Sequence, residues 1–187
     1  MKLLLSLTVL LPILIGRSLS AGADSPATER KHLGQPTVIQ GYPCAKDYAW
    51  FFTDGRLNRC TLSRAFAMGE ARISEGSIVE LLEDGSLRYA MLKHPTVLSG
   101  VECTGGGPLG PGEGAMTALY ASGKVKSCFL SKDETVQGVP CASGGIWKAT
   151  VGHEWPIEFN ENGKLKSCGL SQDYGGHKRG DNFVLGR

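Results

Sequence analysis

Phe159-Asn160-Glu161-Asn162-Gly163-Lys164-Leu165-Lys166-Ser167-Cys168-Gly169-Leu170-Ser171 decides the fold, because the chain repeats it with variation. It recurs as Phe51-Phe52-Thr53-Asp54-Gly55-Arg56-Leu57-Asn58-Arg59-Cys60-Thr61-Leu62-Ser63, as Leu81 to Lys93 around Asp84-Gly85, and as Leu119 to Ser131 around Ser122-Gly123. An apolar strand end runs into Asp-Gly, Ser-Gly or Asn-Gly, dipeptides that tolerate positive φ and suit two-residue β-hairpin turns. The return segment places Cys60, Ala90, Cys128 and Cys168 two residues before Leu62, Leu92, Leu130 and Leu170, so both columns share one face of a strand. Leu57 to Cys60 is an odd step, which requires a change of face or a β-bulge.

The intervals Phe51–Cys60, Leu81–Ala90, Leu119–Cys128 and Phe159–Cys168 are all nine residues. Fixed length marks paired strands. Upstream of each unit lies an opening: Val38 to Cys44, Val97 to Cys103, Thr135 to Cys141, and a degenerate Ile73 to Val79 in the second repeat. From opening cysteine to apolar column the intervals are 7, 16 and 18 residues, variable as loops are. Together these predict an all-β chain, an antiparallel meander of about four repeated hairpins forming a curved or partly closed sheet.

Six cysteines, Cys44, Cys60, Cys103, Cys128, Cys141 and Cys168, contain no C-x-x-C pair, so neither a zinc knuckle nor a thioredoxin-like site is indicated. The second repeat lacks both cysteines, with Val79 and Ala90 read at their positions. Joint loss favours bonds inside each repeat, 44–60, 103–128 and 141–168, each stabilising by about 3 kcal/mol on the chain-entropy account.

Residues 1–23 read as a secretory signal: Lys2, an apolar stretch Leu3 to Ile15, and Ala21-Gly22-Ala23 as cleavage site. Extracytoplasmic localisation, periplasmic or secreted, is therefore expected, with no membrane span after the leader. Removing Lys2 and Arg17 takes the formal charge from +2 to 0, so net charge indicates no nucleic-acid partner. Residues 24–36 are polar and aperiodic and read as a flexible lead-in to a single domain over 37–187. Gly175 to Leu185 reads as a final strand that pairs with the last hairpin or closes the sheet.

Little points to catalysis. His32, His94, His153 and His177 lack metal-ligand spacing, and His153-Glu154 lacks the second histidine of a zincin. The glycine-rich run Thr104 to Gly114 is interrupted by Pro108 and Pro111 and has no Lys-Ser/Thr pair, so it reads as a loop rather than a phosphate cradle. Ser63, Ser131 and Ser171 recur at one repeat position, as strand-end residues do. Arg179-Gly180-Asp181 matches an integrin-binding tripeptide, a match too short to carry weight. No catalytic residue, cofactor or metal ligand is assigned. Among the aromatics, Phe51 and Phe159 read as core, and Trp147 and Trp155 as candidate partner contacts.

The Phe-x-x-(Asp/Asn)-Gly-(Lys/Arg)-Leu pattern resembles the hairpin repeats of MORN-type and bacterial antitoxin-like repeat proteins, within uncharacterised exported bacterial proteins. That resemblance implies stacked hairpins, each burying its face on its neighbours. The expected function is an exported, non-catalytic binding or structural module with a protein or cell-envelope partner. The alternative is a small exported hydrolase whose site is assembled across repeats.

Overall fold

The computed structural model describes residues 27–106, 116–144 and 155–186; residues 1–23, expected to be a secretory signal, and Trp147 and His153 lie outside them. Strand β1 (Thr28–His32) precedes four units of four strands. The first unit is β2 (Thr37–Ile39), β3 (Tyr42–Cys44), β4 (Tyr48–Phe52) and β5 (Leu57–Thr61). The second is β6 (Phe66–Met68), β7 (Ala71–Ile73), β8 (Ile78–Leu81) and β9 (Leu87–Met91). The third is β10 (Thr96–Leu98), β11 (Val101–Cys103), β12 (Met116–Leu119) and β13 (Val125–Cys128). The fourth is β14 (Glu134–Val136), β15 (Val139–Cys141), β16 (Ile157–Phe159) and β17 (Leu165–Gly169), and β18 (Asn182–Val184) follows it.

The fold is all-β, with no helix among the described residues. The larger hairpins and both terminal strands form one ten-stranded antiparallel sheet in the order β1-β4-β5-β8-β9-β12-β13-β16-β17-β18, open at β1 and β18. Each unit's first two strands make a separate small hairpin. The small hairpins cover one face of the sheet: Tyr42, Leu98, Val101, Val136 and Val139 belong to the same buried cluster as the sheet's Leu62, Leu92, Leu130 and Leu170. Disulfides 44–60, 103–128 and 141–168 join each covering hairpin to its own return strand, as the joint loss predicts. Their six cysteines are at most 1% exposed. Such disulfide use is typical of extracytoplasmic chains.

Three sequence expectations need correction. The sheet begins before Thr37: β1 pairs along all five residues with β4, Thr28↔Phe52 to His32↔Tyr48. Its charged, aperiodic sequence is what an exposed edge strand needs to discourage edge-to-edge association. In the second unit the opening cysteine's position belongs to Ile73, not Val79, because Phe66↔Ile73 repeats the register Thr37↔Cys44. Val79 instead lies in the large sheet, opposite Ala90. The Asp-Gly turns have three-residue loops: Gly55 N–H donates to Phe52 O at 2.9 Å and Phe52 N–H to Arg56 O at 2.8 Å, with only Gly55 left-handed, at φ 86°. Asp54 caps the turn by accepting from Arg56 N–H at 2.9 Å. Two-residue turns occur in the covering hairpins, where Gln40 and Gly41 have φ 51° and 87°. The final strand, β18, pairs with the last hairpin through β17, the first of the two expected arrangements, and the sheet stays open.

The odd step in the return segment is a bulge, present in every large hairpin. Trp50 pairs with Arg59 but Phe51 with Leu57, leaving Asn58 as the extra residue. Arg88, Lys126 and Lys166 hold the same place in the later units. The turn of the covering hairpin caps the return strand's first amide: Leu57 N–H donates to Gln40 Oε1 at 3.2 Å, Val125 N–H to Ser99 Oγ at 2.9 Å, and Leu165 N–H to Gln137 Oε1 at 3.0 Å. The second unit has Gly69 there, and Glu70 N–H reaches across to Ser122 O of the third unit at 3.0 Å.

Candidate functional site: the outer face of the sheet

Strand alternation divides the sheet's residues between two faces. One row is buried under the covering hairpins: Cys60↔Val79, Val79↔Ala90, Ala90↔Thr117 and Cys128↔Ile157 are cross-strand partners, each at most 1% exposed. The neighbouring row faces outward. Arg30 pairs with Trp50, Trp50 with Arg59, Arg59 with Glu80, and Glu80 with Tyr89. Beyond the β9–β12 junction the row continues through Ala118↔Ser127, Ser127↔Glu158 and Glu158↔Ser167.

Most of the chemistry of this row gathers near its first half. The Arg59 guanidinium stacks 4.3 Å from the Trp50 ring centroid, and Arg30 lies 4.3 Å from that of Tyr48. Glu80 is 8% exposed yet well partnered. Its Oε1 accepts from Arg88 Nη1 at 3.0 Å, its Oε2 from Tyr89 Oη at 2.7 Å, and Arg59 Nη1 stands 3.9 Å away. A nearly buried carboxylate is tolerated when its lone pairs are occupied in this way. Burial, then the hydrogen bond to Glu80 and its charge, pushes the Tyr89 phenol up to about 12. Tyr89 is thereby held as a neutral donor. In the second half, Glu158 accepts from Lys166 Nζ at 2.8 Å and from Ser167 Oγ at 3.3 Å, and this bond and charge raise the Lys166 ammonium.

The two carboxylates are not an acid–base pair. Glu80 and Glu158 are four strand spacings apart, about 19 Å, whereas glycoside hydrolysis needs roughly 5–10 Å. Among the described residues no three His, Cys, Asp or Glu side chains gather as a metal site. The outer face is a platform. A shallow cleft of about 310 Å³ lies elsewhere, at the β18 edge, beside His177, Asn182 and Leu185.

The other candidates are dispersed. Trp155 is 40% exposed, and its Cβ and Cδ1 lie 3.5 Å from where a side chain on Gly169 would begin. By alternation Gly169 shares the outward face of Ser167, so Trp155 sits at that face's far end. Phe51 and Phe159 are buried at 9% and 4%. His32 stacks edge-on against Tyr48, and His177 against Phe183, at opposite edges of the sheet. Ser63 and Ser171 donate their backbone N–H to Pro43 O and Pro140 O, and Ser131 to Glu102 O, fastening the return strand to the covering hairpin. Arg179-Gly180-Asp181 forms its own turn: Asp181 Oδ2 accepts from Lys178 N–H at 2.8 Å, and Arg179 N–H donates to Asp173 Oδ1 at 3.0 Å. Sequence reading missed Arg59, Glu80, Arg88 and Tyr89. Arg59 and Tyr89 stand at the same offset from their repeats' glycines, as do Trp50 and Glu80, but contact among them depends on register between units.

No family model, curated protein or solved structure matches the chain.

Proposed function

We propose that the protein is an exported, non-catalytic binding module whose partner, a cell-envelope polymer or protein, lies against the outer face of the sheet. The observation that carries this reading is the open Trp50–Arg59–Glu80–Tyr89 row. It combines a half-exposed aromatic ring, a stacked guanidinium and fixed hydrogen-bonding groups on a broad surface. Aromatic and arginine side chains held rigidly in this way are the usual anchors of recognition. An open platform suits an extended partner better than a small substrate, which needs enclosure. The residues 1–23 leader and the three buried disulfides support export. The MORN-like hairpin pattern supports a scaffold that displays surface.

The test is cosedimentation of the purified protein with insoluble envelope polymer and with washed envelope membranes. Wild type is expected to pellet with one fraction, and Trp50→Ala/Arg59→Ala to remain in the supernatant with an unchanged melting profile. Equal pelleting of the double variant would move the site off this face.

A further inference from the structure

Resting on the proposed binding role, we infer that the outer face takes an extended acidic polysaccharide, lying across the strands and held by a ladder of cations. Arg30 lies on β1, Arg59 on β5, Arg88 on β9, Lys126 on β13 and Lys166 on β17. In the sheet order these are the first, third, fifth, seventh and ninth strands. One cation therefore stands every two strand spacings, about 10 Å, over a span of about 38 Å.

The bulge puts the last three at one structural position. Arg88 and Lys166 demonstrate that position's direction, because each reaches the outward carboxylate of its own hairpin, Glu80 at 3.0 Å and Glu158 at 2.8 Å. In the third unit the corresponding residue is Ala118, so Lys126 is exposed with no carboxylate opposite it. The ladder's five cations face two row carboxylates, a formal surplus of three positive charges, whereas residues 24–187 together sum to zero.

The period selects the polymer. An extended β-linked polysaccharide with one carboxylate per disaccharide presents charges at a repeat of the ladder's order. Each strand of a nucleic-acid duplex presents them about every 3.4 Å. Trp50, stacked against Arg59, holds that guanidinium at its rung of the ladder.

The probes are hyaluronan, a β-linked polymer with one carboxylate per disaccharide, its fully methyl-esterified form and an oligo-dT strand, titrated against wild type, Lys126→Glu and Trp50→Ala at several salt concentrations. Hyaluronan is expected to bind with an affinity that falls as salt rises. Lys126→Glu, at an exposed site, should weaken it about fivefold and flatten the salt dependence. The methyl ester and oligo-dT should bind at least tenfold more weakly. Equal binding of the ester or of oligo-dT, or an unchanged Lys126→Glu, overturns the inference. If hyaluronan fails while envelope material still pellets in a Trp50-dependent way, the acidic-polysaccharide assignment falls and the binding role stands. If nothing pellets, both fall.

Discussion

A fourth disulfide should form in the unit that lacks one. Ile73 occupies the place of Cys44, Cys103 and Cys141, and Ala90 that of Cys60, Cys128 and Cys168. All three native bridges span a Cα–Cα distance of 5.7 Å, so the repeated backbone offers the same span to Ile73→Cys/Ala90→Cys. Both residues are 0% exposed, and the exchange nearly conserves volume: a branched side chain and a methyl give way to two thiols. Shrinking Ile73 costs about 1–2 kcal/mol in lost packing. Closing the intervening loop contributes about 3 kcal/mol by the chain-entropy relation. The clean comparison is with Ile73→Cys alone, which shares the packing loss without the bridge. Against it, the oxidised double variant should melt about 6–12 °C higher, at 2–4 °C per kcal/mol for a chain of this size. Thiol titration in denaturant should find no free thiol, and a non-reduced digest should join the peptides containing residues 73 and 90. Two titratable thiols after oxidative refolding, or a bridge from residue 73 to a native cysteine, would show that Ile73 does not hold the cysteine position.

Removing a native staple should have the reverse effect: Cys103→Ala/Cys128→Ala is expected to lose about 3–4 kcal/mol in urea unfolding, and a loss under 1 kcal/mol would contradict the chain-entropy account. Gly85→Ala puts a methyl at φ 83° in open space and should cost about 1–2 kcal/mol. Gly123→Ala, at nearly the same φ of 85°, would also drive its methyl into the Met68 carbonyl and the Glu70 amide, so it should cost at least twice as much by the same urea assay. For Tyr89, the folded pKa of about 12 exceeds the ordinary value of 10.0. Its contribution to stability is therefore complete below about pH 10 and lost as pH rises toward 12. Burial raises the Tyr42 phenol as well, so absorbance titration should show late phenols of which Tyr89→Phe removes one; Glu80→Gln should lower that phenol's midpoint without restoring the ordinary value, because burial persists. If Glu80→Gln leaves unmoved the phenol that Tyr89→Phe removes, the hydrogen bond to Glu80 is not a cause of the shift.

The large hairpins and their staples were legible because their signals are local. The nine-residue interval, the turn glycine and the joint absence of two cysteines all lie within one unit. The step from Leu57 to Cys60 already required a face change or bulge, and the Trp50/Phe51 register shift is that bulge. The covering hairpins were harder, because three-residue strands carry almost no periodicity. In the second unit, Ile73 and Val79 are both β-branched core residues, and without a cysteine to anchor the alignment the sequence does not tell them apart. The outward row was invisible for a different reason. Arg59 and Glu80 are neighbours only because β5 pairs with β8, a register between units that the repeats do not encode separately.

That hidden register also explains how residues 24–187, which carry no net charge, can align cations on one face. The bulge decouples the two faces: Leu57 and Cys60 on either side of Asn58 remain in the core, while the extra residue is released outward. Substitution at the bulge can then follow the needs of the surface without disturbing packing, and Arg88, Lys126 and Lys166 occupy it. The first unit departs from this, since Asn58 there donates Nδ2–H to Leu81 O at 3.3 Å. Its cation is displaced by one residue, to Arg59, which settles on Trp50. One cation per hairpin is kept even where the bulge residue is spent on the backbone. A fold requirement alone gives no reason for that, because Asn58 already satisfies the bulge. The proposed partner on the outer face would supply that reason.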